Sequence, residues 1–165
     1  MTIGIDNGIS GAITDLDGCG RIIDWKPMPI QRARKGNEVD ALGVERILRA
    51  MTSGDIGSAV YVLEEPGGSK SVKAAVSMAA SFHAIRAVLD LNGCRWHRVT
   101  PQQWQKVMLP GCKAGESKPR ALELARRLWP EERWLATERC RTPHDGAIDA
   151  AIMAEWLRVH VIGTA

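Results

Sequence analysis

Most of the residue patterns that mark a bound cofactor or a secretion route are missing from this chain. Its four cysteines, Cys19, Cys94, Cys112 and Cys140, form no CxxC pair, which removes the usual zinc spacing and leaves no compact disulfide pattern. They are read as reduced thiols with structural places. There is one Phe and one Tyr beside six Trp. With so few aromatics, Trp104, Trp129 and Trp134, each set in a helical pattern, are read as core rather than as stacking surfaces for bases. No apolar run approaches the roughly 20 residues of a membrane helix, and no basic n-region leads into a signal-peptide core. The expectation is a cytoplasmic protein without a membrane partner. Repeats and low-complexity tracts are absent. A phosphate-binding loop can be tried on GCKAGESK, Gly111 to Lys118, but Gly115 is followed by Glu116 and Ser117 where the pattern needs Lys and then Ser or Thr. No nucleotide cofactor is expected.

What remains is the composition of an ordinary folded domain. The 165 residues fit one domain, 1–165, with a substantial core, and are too few for two full α/β domains. Net charge is only +3, but its distribution is uneven. Arg32, Arg34 and Lys35 cluster early, and Lys106, Lys113, Lys118, Arg120, Arg126 and Arg127 crowd one later stretch. A charge cluster is most often a solvated face, and here it also favours an anionic partner.

Periodicity outlines the elements. Ile3 to Ile5, Gly11 to Thr14 and Arg21 to Trp25 read as three short strands, the last two joined by the turn signal Asp17-Gly18. QRARKGNEVD is polar and reads as a mobile loop, and Val39 to Met51 then has helical spacing. AVYVLEEP, Ala59 to Pro66, is a central buried strand ending in two acids and a proline. Ser71 to Leu91 is a long amphipathic helix with a small-residue face. Arg95 to Val99 is a strand. TPQQWQKVM starts a helix with Thr100 as N-cap and Pro101 in the first turn. Lys118 to Trp129 is a basic helix, and Pro143 to Val159 is the last. This order points to a three-layer α/β domain.

Acids recur at the ends of these elements. Asp6 closes the first strand in IGIDNGISGAI, where it is either a turn residue, the commoner role of Asp-Asn-Gly, or a buried carboxylate kept for a metal. Glu64 and Glu65 close the central strand. On the last helix Thr142 can cap, Pro143 fits the first turn and Asp145 takes the capping-box position. Asp149 follows four residues later, on the same face as Asp145 and amid alanines. Like charges at that spacing repel, so a positive group is expected between them, and a divalent cation is the economical choice. Oxygen ligands without His or Cys clusters suit Mg²⁺ or Mn²⁺.

GIDNGISGA, VLEEP, VTPQQW and HDGAIDAAIMA, in this order and over Ile3 to about Leu157, resemble the RuvC-type Holliday junction resolvases of the RNase H-like superfamily, particularly their phage and prophage branch. The terminal HDGxxDA with VTPxxW is the most specific part; GIDxG is shared across the superfamily. The resemblance implies an RNase H-like α/β fold: a mixed five-stranded sheet with helices on both faces. It implies a metal-dependent endonuclease that cuts four-way or other branched DNA. Carried over by position, Asp6, Glu64, Asp145 and Asp149 would be the catalytic acids holding two Mg²⁺, with Mn²⁺ able to substitute. A pair of ions about 3.5–4 Å apart can clamp the attacking and leaving oxygens of a phosphodiester. The family's second acid follows directly on the apolar run, which selects Glu64 over Glu65; side-chain parity cannot decide in a strand buried on both faces.

Lys118 matches a basic residue near the family's active site, or is a solvated lysine at a helix start. Lys106, Lys113, Lys118 and Arg120 are the expected phosphate contacts. His144 has two readings: a helix N-terminal residue facing solvent, or a group that orients the attacking water or supports a metal ligand. Two symmetric cuts imply a homodimer, with Met78, Ala79, Phe82 and Ile85 of the long helix as candidate interface, unless that face covers its own sheet. One departure stands out. Cellular RuvC enzymes carry an aromatic wedge a few residues after the second acid, where this chain reads Pro66-Gly67-Gly68. The rival readings are weaker. Sugar kinases and actin-like ATPases share a GIDNGIS-like loop but need two such domains. A non-catalytic DNA-binding domain would be expected to have lost acids. An RNase H acting on hybrids, or a flap nuclease, differs only in substrate shape, which contacts spread over the surface would read.

Overall fold

The computed structural model describes residues 1–34, 36–67, 71–113 and 115–163. Lys35 of the early basic cluster and Gly68 after the second acid lie outside the described residues. The expected meander is present as β1 (Thr2–Ile5), β2 (Ala12–Leu16) and β3 (Ile22–Pro27), paired antiparallel. The Asp17 carboxylate closes the β2–β3 turn by accepting the Cys19 and Arg21 N–H groups.

QRARKGNEVD does not form the loop expected of it. It folds into a two-stranded hairpin, β4 (Ile30–Ala33) and β5 (Gly36–Val39), with Ile30 opposite Val39 and Gln31 opposite Glu38. Val39 is the buried residue of β5, and the other side chains of that strand stand in solvent. A strand solvated on both faces has no apolar alternation to betray it.

Helix α1 (Ala41–Met51) leads to β6 (Val60–Glu64), then α2 (Val72–Leu91), β7 (Arg95–Val99), α3 (Pro101–Met108), α4 (Ser117–Leu128) and α5 (Asp145–Leu157), which runs on into a π-helical turn, Arg158–Ile162. Thr100 and Gln103 make the capping box of α3, with Pro101 in its first turn. The five-stranded sheet has the order β3-β2-β1-β6-β7, and β6 runs parallel to both β1 and β7. It is the expected mixed sheet. Alternate side chains divide between two cores, as the period of two requires. Ile3, Ile5, Tyr61 and Leu63 pack with α1, α2 and the hairpin's Val39. Ala12, Leu16, Val62 and Val99 pack with α3, α4 and α5, where Trp104, Trp129 and Trp134 are buried as expected.

Two expectations for α2 are corrected by its setting. By length and composition alone this 20-residue helix could cross a bilayer, although no stretch that long was expected. Its Phe82, Ile85, Val88 and Leu89 are instead buried in the core of this chain. Phe82 and Ile85 are therefore already covered and cannot also face a second copy. The exposed apolar residues of α2 lie elsewhere, at Val72, Val76 and Leu91.

One fully buried acid lies within β2, apart from the strand ends. Asp15 on β2 is fully buried, faces Asp24 across the strand pair, and neither of its oxygens has a hydrogen-bond partner among the described residues. Burial first, then the charges of Asp24 and Asp17, push its carboxyl up to about 6, against the pull of the amino terminus. The folded state thus holds this proton more tightly than the unfolded chain does. Stability is lost as pH rises from the ordinary value of 3.8 through about 6, by roughly 3 kcal/mol in all. Asp15→Asn is expected to raise the melting temperature clearly at pH 8 and little at pH 4. An equal change at both pH values would contradict a buried ionising group here.

Candidate active site

Three elements bring the acids to one end of the sheet. In the parallel pair β1–β6, Ile5 lies opposite Leu63, so Asp6 and Glu64 leave neighbouring strands at their C-terminal ends, about 4.8 Å apart in the sheet direction. Helix α5 crosses the same face. A Cβ on Gly4 would collide with the Ala150 carbonyl oxygen, and one on Gly146 would sit 2.6 Å from the Gly11 Cα and 2.9 Å from Asp6 Oδ2. Only because these positions are glycine can the helix lie on the strands closely enough to hang Asp145 and Asp149 beside Asp6. Asp6, Ser10, Lys118, His144, Asp145 and Asp149 line one open cleft of about 440 Å³.

The carboxylates raise one another. Asp6 closes its turn and is buried as well: Oδ1 accepts the Gly8 N–H at 3.0 Å, and burial pushes the carboxyl upward against that bond and the positive fields of His144 and Lys118. Glu64 is pushed up to about 7 by burial and by Asp6, with the Trp104 indole acting in the other direction. Asp149 reaches about 8 through burial and the charges of Asp6, Glu64 and Asp145, which Lys118 partly offsets. Glu65 is in a different setting, paired with Arg98 at 3.3 Å.

Lys118 places Nζ 2.6 Å from Asp145 Oδ2, and this carboxylate raises the lysine's own pKa. The start of α5 differs from expectation. Its cap is His144, not Thr142: the Nδ1 atom accepts the Ala147 N–H at 3.1 Å. The imidazole is steadied by Trp25, ring centroids 5.5 Å apart. Asp145 is consequently the first helical residue rather than the capping-box partner, a position where the helix dipole still favours an anion. His144 is half-buried in the cleft wall rather than simply facing solvent.

No protein-family model and no curated protein matches the sequence. Solved structures do match. Thermus thermophilus RuvC in complex with Holliday junction substrate superposes with a TM-score of 0.61 at 15% identity, over 96% of this chain and 95% of that one. A second Thermus thermophilus RuvC structure gives 0.60 at 17% identity, over 99% and 97%. The fold is RuvC-like.

On this RuvC-like frame the basic residues fall into three places. Lys118 stands among the acids. Lys106 and Lys113 line a neighbouring cleft of about 380 Å³ with Gln102, Gln105 and Ser117. Arg120 belongs to neither, being turned to the Pro110 carbonyl at 3.4 Å and to Glu123 at 3.9 Å. Two contacts were not legible in the sequence. The Trp104 indole donates to Glu64 Oε1 at 2.8 Å, and the Asn7 amide donates to the Glu64 carbonyl at 2.8 Å. They join residues 40 and 57 positions apart, and no local pattern marks either.

Among the described residues no three His, Cys, Asp or Glu side chains form a ready metal cage. The donor chemistry nevertheless suits a hard dication. Glu64 and Asp149 resist ionising chiefly because they are buried beside other carboxylates, and a cation among them removes that resistance.

Proposed function

We propose that this chain is a metal-dependent endonuclease acting on branched DNA, with the four-way junction as its substrate class. The observation that carries the reading is the meeting of Asp6, Glu64, Asp145 and Asp149 at one end of a RuvC-like sheet, with Glu64 raised to about 7 and Asp149 to about 8. Such burial and mutual repulsion of carboxylates is costly in a folded protein unless the site serves to hold cations. Two Mg²⁺, or Mn²⁺ in their place, held by these four carboxylates would polarise the phosphodiester and activate the attacking water.

The remaining tasks fall to the chain's own side chains. Lys118 holds Asp145 and places a positive charge at the rim where a phosphate would arrive. Lys106 and Lys113 extend that charge along the next cleft, a path for the DNA backbone whose occupancy should weaken steeply with salt. His144 fixes the start of α5, and so the height of Asp145 and Asp149 above the strands. A homodimer would match the junction's two-fold symmetry. Placement in the phage and prophage branch, and with it the cytoplasm of a bacterial host, rests on the VTPQQW and HDGAIDAAIMA motifs.

The deciding experiment compares four-way junctions, flaps, RNA–DNA hybrids and linear duplex side by side with Mg²⁺. Paired symmetric cuts in the junction are expected, lost in Glu64→Gln and kept in Glu65→Gln, with a dimer seen by light scattering. Cleavage of hybrids or flaps with junctions left intact would move the protein to another RNase H-like activity, and a monomer making uncoupled nicks would remove the resolvase reading.

A further inference from the structure

Glu64 differs from the other three acids in how it is held. Asp145 is exposed and salt-bridged at the cleft rim, Asp149 stands on a helix, and Asp6 is fixed by its own turn. Glu64 is the last residue of β6, where a flexible side chain leaves the sheet and would otherwise sample several rotamers. Two residues from separate elements grip it. Asn7, 1% exposed, donates to its backbone carbonyl, and Trp104, 1% exposed, donates to Oε1. No described residue bonds to Oε2.

We propose that Asn7 and Trp104 are positioning residues for this acid, a two-point clamp that fixes the carboxylate through Oε1 and aims the unbonded Oε2 at a divalent cation. The proposal rests on the metal-dependent reading above. Asn7 follows Asp6 directly, so its bond ties the backbone of the second acid to the turn that carries the first. Trp104 sits in the core formed by α3, α4 and α5, and α3 is fixed at its start by the Thr100–Gln103 capping box and Pro101. The indole is therefore a rigid donor that the carboxylate must meet. Lys106 lies on the same helix as Trp104, so the helix that lines the basic cleft also steadies an acid.

The test is Mn²⁺ binding to the intact protein by calorimetry, read beside junction binding in chelator and the melting temperature. Trp104→Phe keeps an aromatic in the core and removes the N–H. It is expected to weaken Mn²⁺ binding about 10-fold or more while junction binding stays as in the wild type. Asn7→Ala, away from the large core, should weaken Mn²⁺ binding in the same direction. In a Glu64→Gln background Trp104→Phe should cause little further loss, because the clamp acts only through that carboxylate. Wild-type Mn²⁺ affinity in both folded variants, or losses that simply add to Glu64→Gln, would overturn the clamp. Its failure is distinct from failure of the metal reading, in which the wild type itself binds no Mn²⁺ and Asp149→Asn changes nothing.

Discussion

Asp149→Asn is expected to lower junction cleavage in Mg²⁺ by about 10³-fold or more while leaving junction binding intact, and at the same time to stabilise the metal-free protein. On the nuclease reading, the first effect follows from losing one anionic ligand of a site whose cations would each supply several kcal/mol to a phosphodiester transition state. The second follows from the repulsion already described. The Asp149 carboxyl is raised to about 8 by burial and by Asp6, Glu64 and Asp145, so the folded state binds its proton more tightly than the unfolded chain. In chelator, this group's contribution to stability is fully present below about pH 4 and is lost as pH rises through about 8. Asparagine has no proton to lose. Melting curves in chelator should therefore fall with pH for the wild type and flatten for Asp149→Asn, and added Mg²⁺ should raise the wild-type curve far more than the variant's. Asp6→Asn should share the loss of cleavage. Near-normal turnover in either variant would remove the catalytic assignment.

Gly4→Ala is expected to cost about 3 kcal/mol or more, at the upper end of overpacking in a core. The added methyl group collides with the Ala150 carbonyl oxygen and comes within 3.0 Å of the Ala154 nitrogen. Both are helix backbone, so relief requires moving α5 off the sheet, not rotating a side chain. The denaturation midpoint is the readout, with Gly18→Ala as control because nothing lies within 4 Å of its Cβ position. Mn²⁺ binding should fall as well, since lifting α5 draws Asp145 and Asp149 away from Asp6. A Gly4→Ala protein as stable as wild type would mean that the helix does not rest on this strand.

Much of this architecture was legible before any coordinates, for a physical reason that also explains the exceptions. Strands β1, β6 and β7 and helices α2 and α3 are buried on a face or end in specific caps, so burial and capping wrote themselves into the residue pattern. The β4–β5 hairpin leaves little such trace, being held by main-chain pairing, a Gln31–Glu38 bond in solvent and the single buried Val39. The cap of α5 escapes the sequence pattern because histidine is not among the residues that ordinarily cap helices. Among the acids, β6 parity had been silent, since both faces of that strand are covered. With the faces assigned, Glu64 shares the side of Val62 beneath α3 and α5, whereas Glu65 turns to Arg98. Phe82 and Ile85 were ambiguous for the opposite reason: an apolar stripe states that something covers it without stating what.

The position of α5 in the order of synthesis carries a further consequence. Every strand of the sheet has left the ribosome before Asp145 is made, yet the helix beginning there supplies two of the four acids and lies across β1, β2, β3 and β6 on one face of the sheet. A chain broken off between Val99 and Asp145 keeps Asp6 and Glu64 but lacks the two helix acids beside them and the helix that packs on Ala12, Leu16 and Val62. On the nuclease reading, unfinished or truncated copies are therefore unable to cut chromosomal DNA, and their uncovered core marks them for proteolysis. On the same reading, competence to cleave arrives only once α5 has been made and has docked on the sheet.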